Sequence, residues 1–271
     1  MRLERRRVLL TGAGSGIGRE LALGLAERGA ALALVGRRRD PLEATARAVV
    51  DRGGRAVVLP ADLAEPGEAP LVVDGAADAL DGIDILINNA GAVRAGHLED
   101  ASVEDVLAMI AVNLAAPILL TRAALPTLRA AGGVDGAAVV GVTSGAARVG
   151  MPFYAAYAAT KAGLARFNEA LRRELTDTGI RVVTAYPSGT DTPMMASSQA
   201  GDDLGFGRRP AAEVAAEILF GLESDLSEID TSPPDRREMQ QLNQRDPLAV
   251  DAALRSRLID LEAAVRHHRA M

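Results

Sequence analysis

A tyrosine and a lysine four residues apart could together carry acid–base chemistry in this chain. Tyr157 and Lys161 stand in the stretch YAAYAATK, and Lys161 is the only lysine among 30 basic residues. Residues i and i+4 share one face of a helix, whereas Tyr154 would face Ala158 and has no basic partner at that spacing. A phenol titrates near ~10, and an ammonium about 4 Å away would stabilise the phenolate by roughly 4 kcal/mol at an effective dielectric of about 20. The spacing therefore predicts that Lys161 lowers the pKa of Tyr157 toward neutrality.

A glycine-rich turn near the start of the sequence could bind a phosphate. Gly12, Gly14, Gly16 and Gly18 follow the apolar run RVLL and precede a helical pattern. Glycines let backbone N–H groups approach an anion closely, and the N-terminus of the following helix adds partial positive charge. Because the turn lies between a strand and a helix, it predicts a dinucleotide site.

The end of the second apolar run indicates which dinucleotide is bound. NAD sites place a carboxylate there, about 20 residues past the glycines. Here the sequence reads VGRRRD, in which Gly36 is followed by Arg37, Arg38 and Arg39. Guanidinium groups bind a 2′-phosphate bidentately, so the pattern favours NADP over NAD. The alternative is a solvated cluster at a helix start, which applies to at least one of the three arginines.

The elements that would position these residues alternate along the chain. Apolar runs rich in Val, Ile and Leu occur at 7–10, 31–35, 56–60, 83–88, 137–142 and 180–186. Helical patterns separate them, which predicts βαβ units and a parallel sheet covered on both faces. We therefore expect an α/β fold of the Rossmann type, a doubly wound parallel β-sheet flanked by helices, in one domain over residues 1–271. The long helical pattern at 102–128 is expected to be buried and kinked at Pro117.

The polar, arginine-rich region from about residue 234 to 271 predicts a helical C-terminal extension. Leu254, Leu258, Leu261 and Val265 fall at i, i+4, i+7 and i+11, which is one stripe of an amphipathic helix. The stripe fits either a subunit contact or packing on its own domain.

Composition excludes several kinds of partner. The 271 residues carry a net charge of −6, which argues against nucleic acid and anionic membranes. With no cysteine there is neither a disulfide nor thiol chemistry, and His97, His267 and His268 have no metal-ligand spacing, so no metal site is expected. No apolar run of membrane-spanning length and no signal-peptide pattern is found, so we expect a cytoplasmic protein.

Four motifs together resemble the short-chain dehydrogenase/reductase family in its single-domain form. The stretch TGAGSGIG (11–18) is similar to the family's nucleotide loop, and NNAG (88–91) to the motif after its fourth strand. Ser144 with YAATK resembles the active site, and Asn113 matches the fourth catalytic residue. The resemblance runs from residue 7 to about 230.

The resemblance implies an oxidoreductase that interconverts an alcohol and a ketone or aldehyde by hydride transfer. Tyr157 would be the acid in reduction and the base in oxidation, and Lys161 would tune it and hold the nicotinamide ribose. Ser144 would bind the substrate oxygen. Asn113 would bend its helix and hold a water that relays protons to Lys161.

The resemblance also implies where NADP binds. Asp62 would meet the adenine ring, and YPSGTDTP (186–193) would lie beside the nicotinamide, with Ser188 where the family usually has glycine. The predicted cofactor-binding residues are Gly12, Ser15, Gly16, Ile17, Gly18, Arg37, Arg38, Asp62, Leu63, Asn89, Ala90, Gly91, Tyr157, Lys161, Pro187, Gly189, Thr190 and Thr192.

Two classes of function remain open at this point. The first is an NADP-linked oxidoreductase acting on a small-molecule carbonyl or alcohol, and it is favoured because all four catalytic residues are present. The second is a non-catalytic NAD(P)-binding sensor or scaffold. Proteins of this family are usually tetramers or dimers, so the resemblance further implies a homo-oligomer. Met151, Phe153 and Tyr154 either line the substrate pocket or simply pack, and residues 194–210 are expected to form a substrate lid.

Overall fold

Strands and helices alternate along most of the chain. The strands are β1 (Arg7–Thr11), β2 (Ala31–Gly36), β3 (Arg55–Pro60), β4 (Ile85–Asn88), β5 (Val93–Arg94), β6 (Ala137–Val142), β7 (Ile180–Tyr186), β8 (Thr190–Asp191), β9 (Arg209–Pro210), β10 (Glu228–Asp230) and β11 (Arg269–Ala270). The helices are α1 (Gly16–Ala26), α2 (Arg39–Val50), α3 (Glu68–Leu80), α4 (Val103–Ile110), α5 (Ala116–Ala131), α6 (Ala155–Glu174), α7 (Ala211–Glu223), α8 (Pro234–Arg245), α9 (Pro247–Arg255) and α10 (Leu258–Val265).

The computed structural model describes residues 1–132, 136–201, 204 and 206–271. Over these residues seven strands form one sheet in the order β10-β7-β6-β4-β1-β2-β3. Each neighbouring pair is parallel. The chain runs from the centre to one edge through β2 and β3, then returns beside β1 and continues to the other edge. This is the doubly wound Rossmann arrangement, so the predicted fold class is confirmed.

Side chains of each central strand alternate between two hydrophobic layers. Val8 and Leu10 pack with α1, α2 and α7 on one face, whereas Leu9 packs with α3, α5 and α6 on the other. All three side chains are fully buried. A strand covered on both faces must be apolar at every position, which is why β1 reads as an unbroken apolar run.

The helical stretch Val103–Ala131 consists of α4, a π-helical turn at Ala111–Ala115, and α5. Pro117 lies in the first turn of α5. Because proline has no N–H, it cannot donate the regular helical hydrogen bond to the carbonyl of Asn113. The departure from α-helical geometry therefore lies just before Pro117, and it contains Asn113.

The expectation that this stretch is buried is wrong for one face of α4. Val103, Leu107 and Ile110 are 68%, 58% and 41% exposed and lie on one face of the helix. In the described part of the chain, Val103–Ala131 is the one helical stretch that is long and apolar enough to cross a membrane. Core helices of soluble proteins meet the same criteria, and α5 buries Leu120 and Leu128 in the core.

The stripe predicted near the C-terminal end belongs to two helices rather than one. Leu254 lies in α9, whereas Leu258, Leu261 and Val265 lie in α10, because the chain turns between them. Leu254, Leu261 and Val265 are buried and share a hydrophobic cluster with Tyr154. The stripe thus packs on its own domain, while Leu258 is 37% exposed.

The last strand returns the chain to the centre of the molecule. β11 pairs antiparallel with β5, with Arg269 opposite Arg94 and Ala270 opposite Val93. The Arg269 guanidinium also forms an ion pair with Asp105 of α4 at 2.7 Å. Since β5 follows directly on the NNAG motif, residues 268–270 lie at the edge of the sheet where the predicted site residues converge.

Candidate active site

A cavity of about 620 Å³ opens at the carboxyl ends of β1, β4, β6 and β7. Ligands bind in such crevices of open parallel sheets. The predicted residues that line it are Gly12, Ser15, Gly16, Ile17, Gly18, Asn89, Ala90, Gly91, Ser144, Tyr157, Lys161, Pro187, Gly189, Thr190 and Thr192. Motifs far apart in the sequence are thus brought to one place.

The glycine turn has the geometry that the sequence predicts. Gly12 and Gly16 adopt φ angles of 65° and 53°, a region that favours glycine. A Cβ on Gly18 would lie 2.2 Å from the carbonyl oxygen of Gly12, so that position admits no side chain. Ser15 occupies the N-cap of α1 but makes no capping hydrogen bond. The N-terminal N–H groups of α1 are thus uncapped by that side chain at the cavity, which fits the pyrophosphate of a dinucleotide.

Thr11 joins the glycine turn to the NNAG motif, and the sequence analysis did not single it out. Its buried hydroxyl accepts hydrogen bonds from the N–H groups of Asn89 at 2.9 Å and Ala90 at 3.0 Å. The Asn89 amide in turn donates to the carbonyl oxygens of Thr11 and Gly12, at 3.0 and 3.3 Å. A hydroxyl at the end of a buried strand was the available signal, because a buried polar group must find partners.

Lys161 and Tyr157 lie one turn apart on α6 and both line the cavity. The lysine is 3% exposed, and its Nζ lies 5.9 Å from the centroid of the Tyr157 ring. Nζ donates a hydrogen bond to the carbonyl oxygen of Val142 at 3.2 Å. Burial lowers the pKa of Lys161 to about 8, because the charged form loses its hydration.

Burial raises the pKa of Tyr157, and its hydrogen bond with the Ser144 hydroxyl offsets part of that effect. The prediction that Lys161 lowers this pKa toward neutrality is therefore wrong. Among the described residues Nζ has the Val142 carbonyl as its hydrogen-bond partner and not the phenol oxygen. Burial disfavours the charged phenolate, and this is the largest effect on the pKa of Tyr157.

Ser144 follows β6 and begins a short 3₁₀ turn at Gly145–Ala147. Its hydroxyl accepts a hydrogen bond from the N–H of Ala146 at 3.2 Å. With that contact its oxygen is held in place, and its proton remains to be shared with Tyr157 or a substrate oxygen.

Asn113 does not line the cavity but lies fully buried beside it. Its side-chain oxygen accepts from the N–H of Ala92 at 2.7 Å, and its amide donates to the Ala92 carbonyl at 2.8 Å and to the Thr160 hydroxyl at 3.0 Å. These contacts join the π-helical turn to the loop after NNAG and to α6. The side chain is thus occupied by structure, and the main-chain carbonyl of Asn113 lacks its regular helical donor because residue 117 is proline.

Arg37 and Arg38 follow the end of β2 and lie outside the cavity lining. Gly36 and Pro60 are register partners at the ends of β2 and β3. The side chains of Arg37 and Arg38 are exposed, and the Arg37 guanidinium donates a hydrogen bond to the backbone carbonyl of Met271.

Asp62 and Leu63 also lie outside the lining, just past the end of β3. Leu63 is buried, whereas Asp62 is exposed and accepts a hydrogen bond from the N–H of Ala64 at 3.0 Å. Their position beside the end of β2 is where the resemblance puts the adenosine end of the cofactor.

Ser188, at the position where glycine was expected, lines the cavity between Pro187 and Gly189. Its hydroxyl donates to the carbonyl of Thr231 at 3.4 Å. The serine therefore ties this loop to the segment after β10.

The substrate end of the cavity contains a histidine that the sequence analysis set aside. His268 is buried, and its two ring nitrogens contact the hydroxyl of Tyr154 at 2.7 Å and the carbonyl of Met194 at 2.9 Å. Tyr154 and Met151 line the cavity, whereas Phe153 packs in the cluster behind it. No sequence spacing links His268 to Tyr154, since β11 and its neighbours reach the site only through the fold.

The segment predicted as a lid contributes Met194, Met195, Phe206, Arg208 and Arg209 to the lining. Residues 202, 203 and 205 of that prediction lie outside the described residues. Within the described ranges the structure brings together no group of three His, Cys, Asp or Glu side chains that could hold a metal.

Comparison with known proteins agrees with these features. The sequence profile of the family described as short chain dehydrogenase matches residues 6–203. The ketoacyl reductase HetN of Nostoc sp. is 35% identical over 180 residues, which is 66% of this chain. The aligned region spans 62% of that relative's own length.

Solved structures share the fold over most of the chain. A short chain dehydrogenase from Burkholderia cenocepacia in complex with NADP has a TM-score of 0.77 and 32% identity, covering 85% of this chain and 97% of that one. An alcohol dehydrogenase from Thermococcus sibiricus complexed with 5-hydroxy-NADP has a TM-score of 0.74 and 25% identity, covering 82% and 94%.

Proposed function

Because the chain belongs to the short chain dehydrogenase family, we propose that it is an NADP-dependent oxidoreductase that interconverts an alcohol and a ketone or aldehyde. The observation that carries the proposal is one cavity lined by the glycine turn, Ser144, Tyr157 and Lys161. A nucleotide-binding scaffold needs only the glycine turn. A proton donor and an oxygen-binding hydroxyl beside it are what carbonyl chemistry requires.

NADPH would supply the hydride at the carbonyl carbon. The residues of this chain handle the oxygen and the proton. Ser144 donates a hydrogen bond to the substrate oxygen, and Tyr157 gives that oxygen its phenolic proton as the charge on it develops. A raised pKa suits this direction, since the phenol stays protonated at neutral pH.

Lys161 has two roles in this proposal. Its buried Nζ holds a ribose hydroxyl of the nucleotide, and its charge stabilises the phenolate that remains after proton transfer. The main-chain carbonyl of Asn113, which lacks a helical donor because residue 117 is proline, holds a water. Through this water Lys161 recovers a proton from solvent.

NADP is preferred to NAD in this proposal because arginines follow β2 where NAD sites carry a carboxylate. Arg37 is exposed and donates a hydrogen bond to the Met271 carbonyl, and the exposed Arg38 stands next to it. The Burkholderia cenocepacia structure, which contains NADP, supports the same choice.

We also propose that the protein is a cytoplasmic homo-oligomer, a dimer or a tetramer. The surface that supports an oligomer is the exposed apolar face of α4, formed by Val103, Leu107 and Ile110. An exposed apolar patch of this kind often marks a protein contact.

A screen of ketones, aldehydes and alcohols with NADPH, NADH and their oxidised forms tests the function. The expected result is turnover of at least one carbonyl with NADPH. The absorbance of the reduced nicotinamide measures this turnover. A protein that binds NADPH tightly but turns over no carbonyl or alcohol would instead be a sensor or scaffold.

A further inference from the structure

Arg236 stands in the wall of the cavity at the start of α8. It lines the cavity together with Ser232, Met239 and Gln240. Residues three and four apart share one face of a helix, so α8 turns this face toward the cavity. The neighbouring Arg237 is exposed and donates instead to the carbonyl of Asp230 at 3.1 Å.

The guanidinium of Arg236 has only weak partners. Its Nη1 contacts the sulfur atoms of Met151 at 3.7 Å and Met239 at 3.8 Å, and its Cζ lies 5.1 Å from the centroid of the Phe206 ring. Thioethers are weak acceptors, whereas a guanidinium has five donors arranged for a planar anion. Within the described ranges Arg236 forms no ion pair.

Arg209 shows how another arginine of the same cavity is paired. Arg209, which also lines the cavity, is paired with Glu217 at 2.5 Å and Glu213 at 3.4 Å. Among the described residues Arg236 has no such carboxylate partner, and its hydrogen-bond acceptors are the two thioether sulfurs.

The positive charge of Arg236 is not neutralised by an ion pair within the described ranges. Burial lowers its pKa, which is the mark of a partly desolvated cation, although the nearby carboxylate of Asp235 raises it. Asp235 lines the cavity but is exposed and makes no ion pair with Arg236 among the described residues. Arg208 brings a further positive charge to the lining.

A row of aromatic contacts separates Arg236 from the reacting end. The ring centroids of Tyr157 and Tyr154 are 6.2 Å apart, and those of Tyr154 and Phe206 are 6.0 Å apart. Phe206 then contacts Arg236. An α-oxo acid would put its carboxylate next to Ser144, so an anion at Arg236 must be several bonds away from the reacting carbonyl.

We propose that Arg236 is a specificity-determining residue, which binds the anionic group of a carbonyl substrate whose charge is separated from the reacting carbon by an apolar spacer. The spacer would lie along Met151, Tyr154 and Phe206, and the anion is a carboxylate or a phosphate. The inference rests on the proposed function for the position of the reacting carbon.

Binding tests this without any turnover. In the full protein saturated with NADPH, calorimetry would measure the affinity of octanoate, octyl phosphate and the neutral octanamide. Octanoate or octyl phosphate should bind about 10- to 100-fold tighter than octanamide, the range of a charged hydrogen bond. The tighter of the two identifies the anion.

Arg236→Met should remove this preference, whereas the matched control Arg237→Met should keep it. Arg236→Lys retains the charge and should keep part of the preference, and it carries the test if Arg236→Met no longer binds NADPH. Equal affinity of wild type for the anions and octanamide overturns the proposal. So does an anion preference that survives both substitutions at Arg236.

Kinetics separate this proposal from the proposed function. Wild type should reduce a long-chain oxo acid with a lower KM than its methyl ester, and Arg236→Met should raise the KM of the acid alone. Anion binding that depends on Arg236 without turnover of any carbonyl or alcohol, oxo acids included, would contradict the proposed function while leaving the anion site in place. Reduction of oxo acid and ester with equal KM would contradict the anion site only.

Discussion

The phenol of Tyr154 donates its proton to Nδ1 of His268 across 2.7 Å. On the other side of the ring, Nε2 contacts the carbonyl of Met194 at 2.9 Å. A carbonyl can only accept a hydrogen bond, so Nε2 carries the ring proton and Nδ1 accepts from the phenol. Burial lowers the pKa of His268, so the ring is neutral and Nδ1 is an acceptor. Tyr154 is thereby engaged with His268, which is consistent with the proposal that Tyr157 transfers the proton.

The first prediction separates the two tyrosines. Tyr157→Phe should lose turnover by at least about 10²–10⁴-fold, because the transferable proton is gone, yet NADPH binding should remain. Tyr154→Phe removes the bond to His268 and should change KM or substrate selectivity. Steady-state kinetics and NADPH fluorescence titrations measure both. If Tyr154→Phe were the inactive variant, the roles would be reversed.

Lys161 should be sensitive to a substitution that keeps its charge. Lys161→Arg places a planar group where a compact ammonium contacts Val142, so we expect weaker NADPH binding and lower turnover together. Arg166→Lys, at an exposed position on the same helix, is the matched control and should change neither. Unchanged affinity for NADPH in Lys161→Arg would count against the ribose contact.

The buried ammonium also predicts a pH dependence of stability. The folded pKa of Lys161 is about 8 against an ordinary value of 10.5, so between these pH values the unfolded chain binds more protons. The free energy of unfolding should therefore rise with pH across that window and be reduced below it. Lys161→Met should be more stable than wild type at pH 7 by about 3 kcal/mol. Urea unfolding at pH 7 and pH 10 measures this, and a difference independent of pH would contradict it.

Cofactor choice should depend on Arg37. Gly36→Asp combined with Arg37→Asn should shift preference toward NAD by roughly 1.5–3 kcal/mol, the size of a charged hydrogen bond. Arg39→Asn is the control, since Arg39 lies 3.6 Å from Glu43 and is already paired. The ratio of kcat/KM for NADPH and NADH reports the shift. A wild type that prefers NADH would refute the assignment.

The exposed face of α4 should be the subunit contact. Leu107→Glu should lower the mass measured by light scattering, because it puts a charge into an apolar contact. Ile259→Glu is the control, at a side chain that is 83% exposed on α10. A wild-type mass near 28.2 kDa at micromolar concentration would exclude a stable oligomer.

Sequence patterns predicted the parts of the molecule that depend on neighbours along the chain. The glycine turn and the pair Tyr157 and Lys161 are local, so their spacing was enough. The strand β10 was not predicted, because its three residues include Glu228 and Asp230 and only Ile229 is buried. An edge strand this short has no recognisable period.

The contacts that the sequence could not give join distant segments. His268 meets Tyr154 across 114 positions, and the side chain of Asn113 meets Ala92 rather than the cavity. The pKa of Tyr157 also depends on burial, which spacing does not report. Such features require the packed structure, since each is set by what the fold brings together.

The pairing of Arg269 with Arg94 has a consequence for how the molecule assembles. Loop closure over such a long stretch of chain is entropically unfavourable, and contacts of high sequence separation slow folding. The glycine turn and its flanking strands come from the first 36 residues. During synthesis the phosphate-binding turn is therefore made first, whereas the nucleotide cleft is completed only after residues 89–91, Lys161 and residues 187–192 have been added, and the wall that contains His268 is added last.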